Sequence, residues 1–277
     1  MTTNLASDLF RHTLHLSYSQ LTTYLTCSQR YYFRYVAGLP PETVASALIL
    51  GSSLHAVLAR FYDRLRAGQT ENPADLLDFF RDDLVRRLAT ASATVQYSAD
   101  APTAQDLMEQ GQQLLTTFLG EALQGLVGLE IVSVELPLSV PLMDEQGLPM
   151  DISLVGVIDL LLKDTQGNLV AVDHKTSKTA FNQAGVDRDL QFSAYAVLLA
   201  GTNYLTQGAD LTCRFDVLRK LKAPKLERLM TRRTHDDQMR FRSLAHRVLL
   251  AIDREVYLPC PGWQCATCPH TQVCRNH

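Results

Sequence analysis

Three cysteines crowd the end of the chain as Cys265-Ala-Thr-Cys268-Pro-His-Thr-Gln-Val-Cys274, and a fourth, Cys27, lies near its beginning. A site that uses all four must bring the two ends of a 277-residue chain together. The spacing supplies three soft ligands and Cys27 the fourth, and four thiolates suit zinc or an iron–sulfur cluster equally by ligand count. Cys260 competes for the fourth place, and His270 and His277 keep a zinc reading open. Cys213, inside an alternating strand pattern, reads as a small buried hydrophobe. This usage fits a bound metal in a reducing compartment better than a disulfide framework.

Hydrophobic residues make up 46% of the chain, ample for a core, yet no run of eighteen uncharged apolar residues occurs. The stretch from Met1 to Asp8 lacks the basic and apolar regions of a signal peptide, so the expectation is a cytoplasmic protein without a membrane segment. A net charge of -3 argues on its face against a nucleic-acid partner. The charge is unevenly placed, however: Leu211 to Arg254 holds twelve Lys or Arg against five acids, and Glu71 to Glu109 eight acids against three Arg. Either a local basic face or an ordinary solvated helix with edge-strand charges accounts for that.

Helical spacing runs from Leu16 to Val36, with Ser17 or Ser19 as cap, and from Leu48 to Arg66, ending at Gly68. Pro73 to Thr90 and Thr103 to Leu126 read as two more helices around a Ser/Ala/Thr-rich loop. Three β-branched runs follow, Glu130 to Val140, Ile152 to Leu162 and Asn168 to Lys175, joined by turn signals at Asp144 to Gly147 and Asp164 to Asn168. They predict an antiparallel meander. Val186 to Leu205 returns to helical spacing, Leu211 to Leu218 and Leu226 to Arg233 read as paired strands, and Thr234 to Val256 as a basic helix. The order predicts an α/β fold with a mixed central sheet flanked by helices. We expect one domain over 1–277, with a helical insertion at about 70–128 and a cysteine tail at about 257–277 that pairs with Cys27.

Asp159 and Asp173 each sit in an apolar strand pattern, where a lone charge is expensive. Two carboxylates aimed at one point can share Mg²⁺ or Mn²⁺, which favour hard oxygen ligands. Asp173 and Lys175 are two apart on a strand and so emerge on one face, with His174 on the other. A lysine beside a metal-holding acid can serve an attacking water and a charged phosphoryl group, though an isolated Asp-x-Lys is more often a strand-end ion pair. Gln191 and Tyr195 share a helical face at i, i+4, where they can contact the lysine, the water or a phosphate.

The ordered set Leu16-Ser-Tyr-Ser-Gln-Leu-Thr-Thr-Tyr-Leu-Thr-Cys27, Gly51-Ser-Ser-Leu-His55, Gly156-Val-Ile-Asp159, Asp173-His-Lys175-Thr and Gln191-Phe-Ser-Ala-Tyr195 resembles the PD-(D/E)XK nuclease superfamily. Within it the chain resembles the RecB-like branch, with its AddB-like and CRISPR-associated relatives. The resemblance implies a restriction-endonuclease-like core, with His55, Asp159, Asp173 and the His174 backbone carbonyl as metal ligands and Lys175 positioning or activating water. Asp173 stands where many relatives have Glu, which shortens its reach. The resemblance also favours a structural 4Fe-4S cluster on Cys27, Cys265, Cys268 and Cys274, with zinc as the alternative. The implied activity is a Mg²⁺- or Mn²⁺-dependent DNA exonuclease acting on single strands or duplex ends.

Arg30, Arg34, Arg219, Lys220, Lys222, Arg232 and Arg233 are candidates for a phosphate track, and Tyr31, Tyr32 and Phe33 for base stacking or for core packing. A different class of function is a cluster-bearing DNA-binding or scaffold subunit of a helicase–nuclease or CRISPR adaptation complex, silent as a nuclease alone. No Gly-x-x-x-x-Gly-Lys-Ser/Thr stretch is present, so a helicase partner is a separate protein.

Overall fold

Ser17 closes a short strand, β1 (His15–Ser17), and caps the helix that follows, α1 (Tyr18–Thr26). Its hydroxyl accepts from the Gln20 N–H at 3.2 Å, while the Gln20 side chain accepts from the Ser17 N–H at 2.7 Å. That reciprocal arrangement is a capping box. The computed structural model describes residues 14–144 and 147–276. The leader reading at Met1 to Asp8, the middle of the Asp144 to Gly147 turn and the zinc role of His277 lie outside the described residues.

The single helix expected over Leu16 to Val36 is broken. Cys27 is extended (φ -164°, ψ 106°), a short helix α2 (Ser28–Tyr31) follows, and Tyr32–Val36 forms a π-helical turn. Tertiary contacts override local spacing here. The Ser28 hydroxyl accepts from the Leu258 N–H at 2.7 Å, and the Leu258 carbonyl accepts from the Gln29 N–H, so the tail captures the chain just after Cys27.

Strand β2 (Thr43–Ala45) leads into α3 (Ser46–Arg66), and Gly68, at φ 71°, turns the chain away from it. Asn72 caps α4 (Pro73–Ala89), whose first position is Pro73, and Thr103 caps α5 (Ala104–Glu121), which tightens into a 3-10 turn over Ala122–Leu126. The expected loop between α4 and α5 contains a strand, β3 (Thr94–Gln96), paired in parallel with β2.

The main sheet is built from β4 (Leu129–Met143), β5 (Pro149–Asp164), β6 (Leu169–Ser177), β7 (Leu211–Arg219) and β8 (Lys225–Arg233) together with β1. Strands β4, β5 and β6 form the expected antiparallel meander, β6 and β7 are parallel, and β7 and β8 antiparallel. The sheet is therefore mixed. Strand β1 pairs in parallel with Ser153 to Val155 of β5, whereas β6 pairs with Leu160 to Lys163, so between these stretches β5 has a gap in its pairing with those two strands.

Helices cover both faces. One core packs the sheet against α7 (Leu190–Gly201) and α8 (His235–Asp253) through Ile158, Phe192, Leu198, Phe215 and Phe241. The other packs it against α3, α4 and α5 through Leu54, Tyr62, Phe80, Phe118, Leu160 and Val172. The helix expected over Val186 to Leu205 is split into α6 (Gln183–Arg188) and α7, because the Asp189 side chain accepts from the Gln191 N–H at 2.7 Å and starts a new helix. The tail ends in α9 (Thr271–Arg275) and is tied back to the start of the chain. There the Tyr24 hydroxyl donates to the Val256 carbonyl at 2.6 Å, and Glu42 accepts from the Gln272 N–H at 3.1 Å. No described helix is long and apolar enough to cross a membrane.

Candidate active site

Leu160 and Val172 form the last registered pair before β5 and β6 part. Asp159 and Asp173 are the next residue on each strand, so the fold sets both carboxylates at the mouth of that fork. The His174 N–H, with no strand partner on β5, donates instead to Asp159 Oδ2 at 2.8 Å. Its carbonyl lies 2.9 Å from His55 Nε2, which α3 carries across from the other layer. His55 Nδ1 is 3.4 Å from Asp159 Oδ2. A ring facing a carbonyl on one side and a carboxylate on the other satisfies both only when doubly protonated.

On the opposite side, α7 presents Gln191 and Tyr195 one turn apart. Asp173 Oδ1 accepts from Gln191 Nε2 at 2.6 Å and from the Tyr195 hydroxyl at 3.0 Å. Gln191 Oε1 in turn accepts from Lys175 Nζ at 2.9 Å, and the same ammonium lies 2.6 Å from Asp173 Oδ2. The His174 ring lies on the face of β6 opposite Asp173 and Lys175, as strand alternation requires, where it packs with Tyr62 and Phe118 and sets Nδ1 3.5 Å from Asp159 Oδ2.

The structure therefore gathers His55, Asp159, Asp173, the His174 carbonyl, Lys175, Gln191 and Tyr195 in one place. Two further residues join them without having been singled out in the sequence. Glu135 on β4 is bracketed by the pairs Val134–Leu160 and Leu136–Ile158, which set it across from Asp159. Its ligand atoms, with those of His55 and Asp159, lie within 4.8 Å of one another. The signal was present as an acid inside the apolar run Val134-Glu135-Leu136. Tyr18, at the start of α1, faces Asp189 and Asp173; it lies within the opening motif, but nothing there marks its ring as part of this site.

The electrostatics are those of several acids sharing few cations. Burial opposes the charge of Asp159, but His55, His174 and Lys175 outweigh it and hold the carboxyl well below its ordinary range. Burial pushes Asp173 up, against the pull of Lys175. Glu135 is exposed overall, but loss of water around its carboxyl, with Asp159 adding to it, pushes that group up to about 7. Burial works against the charged forms of His55 and Lys175, yet the surrounding carboxylates leave both above their usual values.

This donor set, an imidazole nitrogen with carboxylate and carbonyl oxygens, fits a hard divalent cation, which His55, Asp159 and the His174 carbonyl would hold. Oδ1 of Asp173 already receives two donors, and Oδ2 faces only Lys175, so a lone pair on Oδ2 remains.

No disulfide joins any of the six cysteines. Burial pushes the Cys274 thiol up, and Cys27, Cys268 and Cys265 are near enough to raise it further, so the four cysteines singled out in the sequence are neighbours in space. Cys260 is exposed and turned toward the Leu258 carbonyl, and Cys213 is fully buried.

The phosphate-track and stacking candidates separate. Arg233 is buried and donates to the carbonyls of Val186 and Asp189, and Arg219 is buried against Glu227 and the Lys178 carbonyl, so both brace the fold. Arg232 is paired with Asp210. Arg34 and Lys222 are exposed, and Arg30 and Lys220 half-buried. Tyr31 and Phe33 are buried in the core; Tyr32 is half-buried against Tyr257.

A model of the PD-(D/E)XK nuclease superfamily matches residues 15–275 of the chain. Among solved structures, the chain is similar to a provisionally named exonuclease from Eubacterium rectale, at 12% identity and a TM-score of 0.54, over 98% of this chain and 92% of that one. It also matches the crystal structure of SSO0001 at 13% identity and a TM-score of 0.34, over 93% of this chain and 95% of that one. No curated protein matches.

Proposed function

The chain belongs to the PD-(D/E)XK nuclease superfamily, and from that premise we propose that it is a metal-dependent DNA exonuclease of the RecB-like kind. The observation that carries this reading is the bridge made by Gln191, which accepts from Lys175 and donates to Asp173 with opposite ends of one amide. A lysine held beside a half-satisfied carboxylate is poised for hydrolysis rather than neutralised in a surface ion pair.

In this reading His55, Asp159, Asp173 and the His174 carbonyl would hold Mg²⁺ or Mn²⁺, which would supply neutralisation of charge on the scissile phosphate and a more acidic water. Lys175 orients the water that attacks phosphorus and offsets charge that grows on the non-bridging oxygens. Gln191 and Tyr195 keep Asp173 and Lys175 in register, and both belong to the catalytic set. As the new P–O bond forms the attacking water gives up a proton to solvent, the P–O bond to the leaving strand breaks, and the leaving oxygen takes a proton from solvent.

The name of the Eubacterium rectale neighbour supports an exonuclease, and exposed Arg34 and Lys222 with half-buried Lys220 offer phosphate contacts near the surface. The convergence of Cys27, Cys265, Cys268 and Cys274 supports the four-cysteine site, proposed here as a 4Fe-4S cluster that ties α2 to the tail. We take the whole chain as one nuclease domain in which α4 and α5 form the helical insertion.

Linear and circular single-stranded DNA, the linear form labelled at one end, test the reading with Mg²⁺ or Mn²⁺. The expected result is degradation of the linear strand alone, with product sizes that reveal polarity. Cutting of the circle would overturn the exonuclease assignment, and no cutting of either by a metal-binding protein would overturn the nuclease.

A further inference from the structure

Resting on the nuclease reading of this site, we propose that Glu135 is a further ligand to the divalent cation, sharing it with His55 and Asp159. Asp173 stands on the other side of Asp159, facing α7, with Oδ1 and Oδ2 turned to Gln191, Tyr195 and Lys175. The set of ligand atoms that come within 4.8 Å of one another is instead His55, Glu135 and Asp159. A nitrogen and two carboxylates at that spacing are a recognisable donor set for Mn²⁺ or Mg²⁺.

Three features of Glu135 point the same way. Among the described residues no Lys or Arg pairs with it, although its neighbours include Asp159, Asp173 and Asp63, so His55 is the cation within reach. An acid crowded by acids is stabilised by a cation that all of them can share. Its backbone adopts φ 45° in the middle of a fifteen-residue strand, a left-handed conformation that a side chain rarely takes and that glycine would take freely. The kink also has a geometric effect: Val134 and Leu136 keep their partners on β5 while Glu135 drops out of the register between them. A strained, unpaired residue in a strand interior, carrying a carboxylate beside a histidine and a second carboxylate, is accounted for if the carboxylate is what the strand is bent to deliver.

Glu135 thereby extends the ligand set to four strands and helices, β4, β5, β6 and α3. The cation becomes a tie between layers as well as a reagent.

The test is Mn²⁺ binding by calorimetry and by the electron paramagnetic resonance of bound Mn²⁺, with no substrate present. Glu135→Gln removes the charge, and Glu135→Gly removes the ligand while suiting the left-handed backbone, so that a folded variant is available. Glu130→Gln, on the same strand and paired with Lys163 at the surface, is the control. Asp159→Asn tests the underlying site. We expect Glu135→Gln and Glu135→Gly to weaken Mn²⁺ about 10- to 100-fold, Glu130→Gln to leave it unchanged, and Asp159→Asn to abolish it. If both Glu135 variants bind within about twofold of wild type while Asp159→Asn does not bind, Glu135 is no ligand and the nuclease site stands. If Asp159→Asn binds as well as wild type, the nuclease reading of the site fails, and the role of Glu135 with it.

Discussion

Gln191 Nε2 donates to Asp173 Oδ1 at 2.6 Å, which fixes the orientation of the amide and turns its oxygen to Lys175. Replacing Gln191 by Leu removes both contacts and leaves two charged groups to find their own geometry. Hydrogen bonds to charged partners contribute about 1.5–3 kcal/mol, so we predict that kcat falls by about 10- to 100-fold. Mn²⁺ affinity should change little, since Gln191 touches no proposed ligand except Asp173. Single-turnover cleavage beside Mn²⁺ titration checks both halves of the expectation.

Gly156 opens the Gly156-Val-Ile-Asp159 motif for a packing reason. A Cβ there would sit 2.8 Å from Leu198 Cδ1, on the helix that carries Gln191 and Tyr195. Gly156→Ala should therefore force the Leu198 side chain to yield within the closed core and cost about 1 kcal/mol of stability. Urea denaturation measures the loss, and an unchanged midpoint would contradict the packing argument.

The pH dependence of stability without metal follows from the same carboxylates. Glu135, pushed up to about 7, and His55, also raised, hold more protons folded than unfolded. For such groups stability is highest below the unfolded pKa and declines as pH rises through the folded one. Asp159, held low, adds no slope in this window. The melting temperature of metal-free protein should thus fall from pH 5 to pH 8, and Glu135→Gln should flatten the descent. Added Mn²⁺ should stabilise more at pH 8 than at pH 6, because it binds deprotonated ligands.

The two ends of the chain are joined by ordinary hydrogen bonds independently of the proposed cysteine site: Ser28 to Leu258, Tyr24 to Val256, Glu42 to Gln272. Cys27→Ser should accordingly lose bound iron and sulfide and lower the melting temperature without abolishing the folded signal. Zinc in place of iron in anaerobically purified protein would contradict the cluster assignment.

What was legible in the sequence was what local rules govern. The capping residues Ser17, Thr103 and Thr234 start their helices as spacing implies, and the β4–β5–β6 meander follows from its turn signals. What was not legible depended on distant partners. Nothing near Cys27 announces that Leu258 will capture Ser28 and end the helix early. Arg219 and Arg233 look like surface cations in sequence, yet carbonyls and Glu227 from other elements draw them inside. The strand carrying Glu135 was expected, but that it would kink and turn its carboxylate toward His55 was not, because a left-handed residue inside a strand has no local signature without glycine.

The most direct test compares wild type with Asp173→Ala and Lys175→Ala on end-labelled single-stranded DNA, with Mn²⁺ binding and melting temperature measured on the same preparations. Product ladders are expected from wild type alone, with Lys175→Ala still folded and still binding Mn²⁺. Cleavage by a folded Lys175→Ala at the wild-type rate would contradict the role given to Lys175.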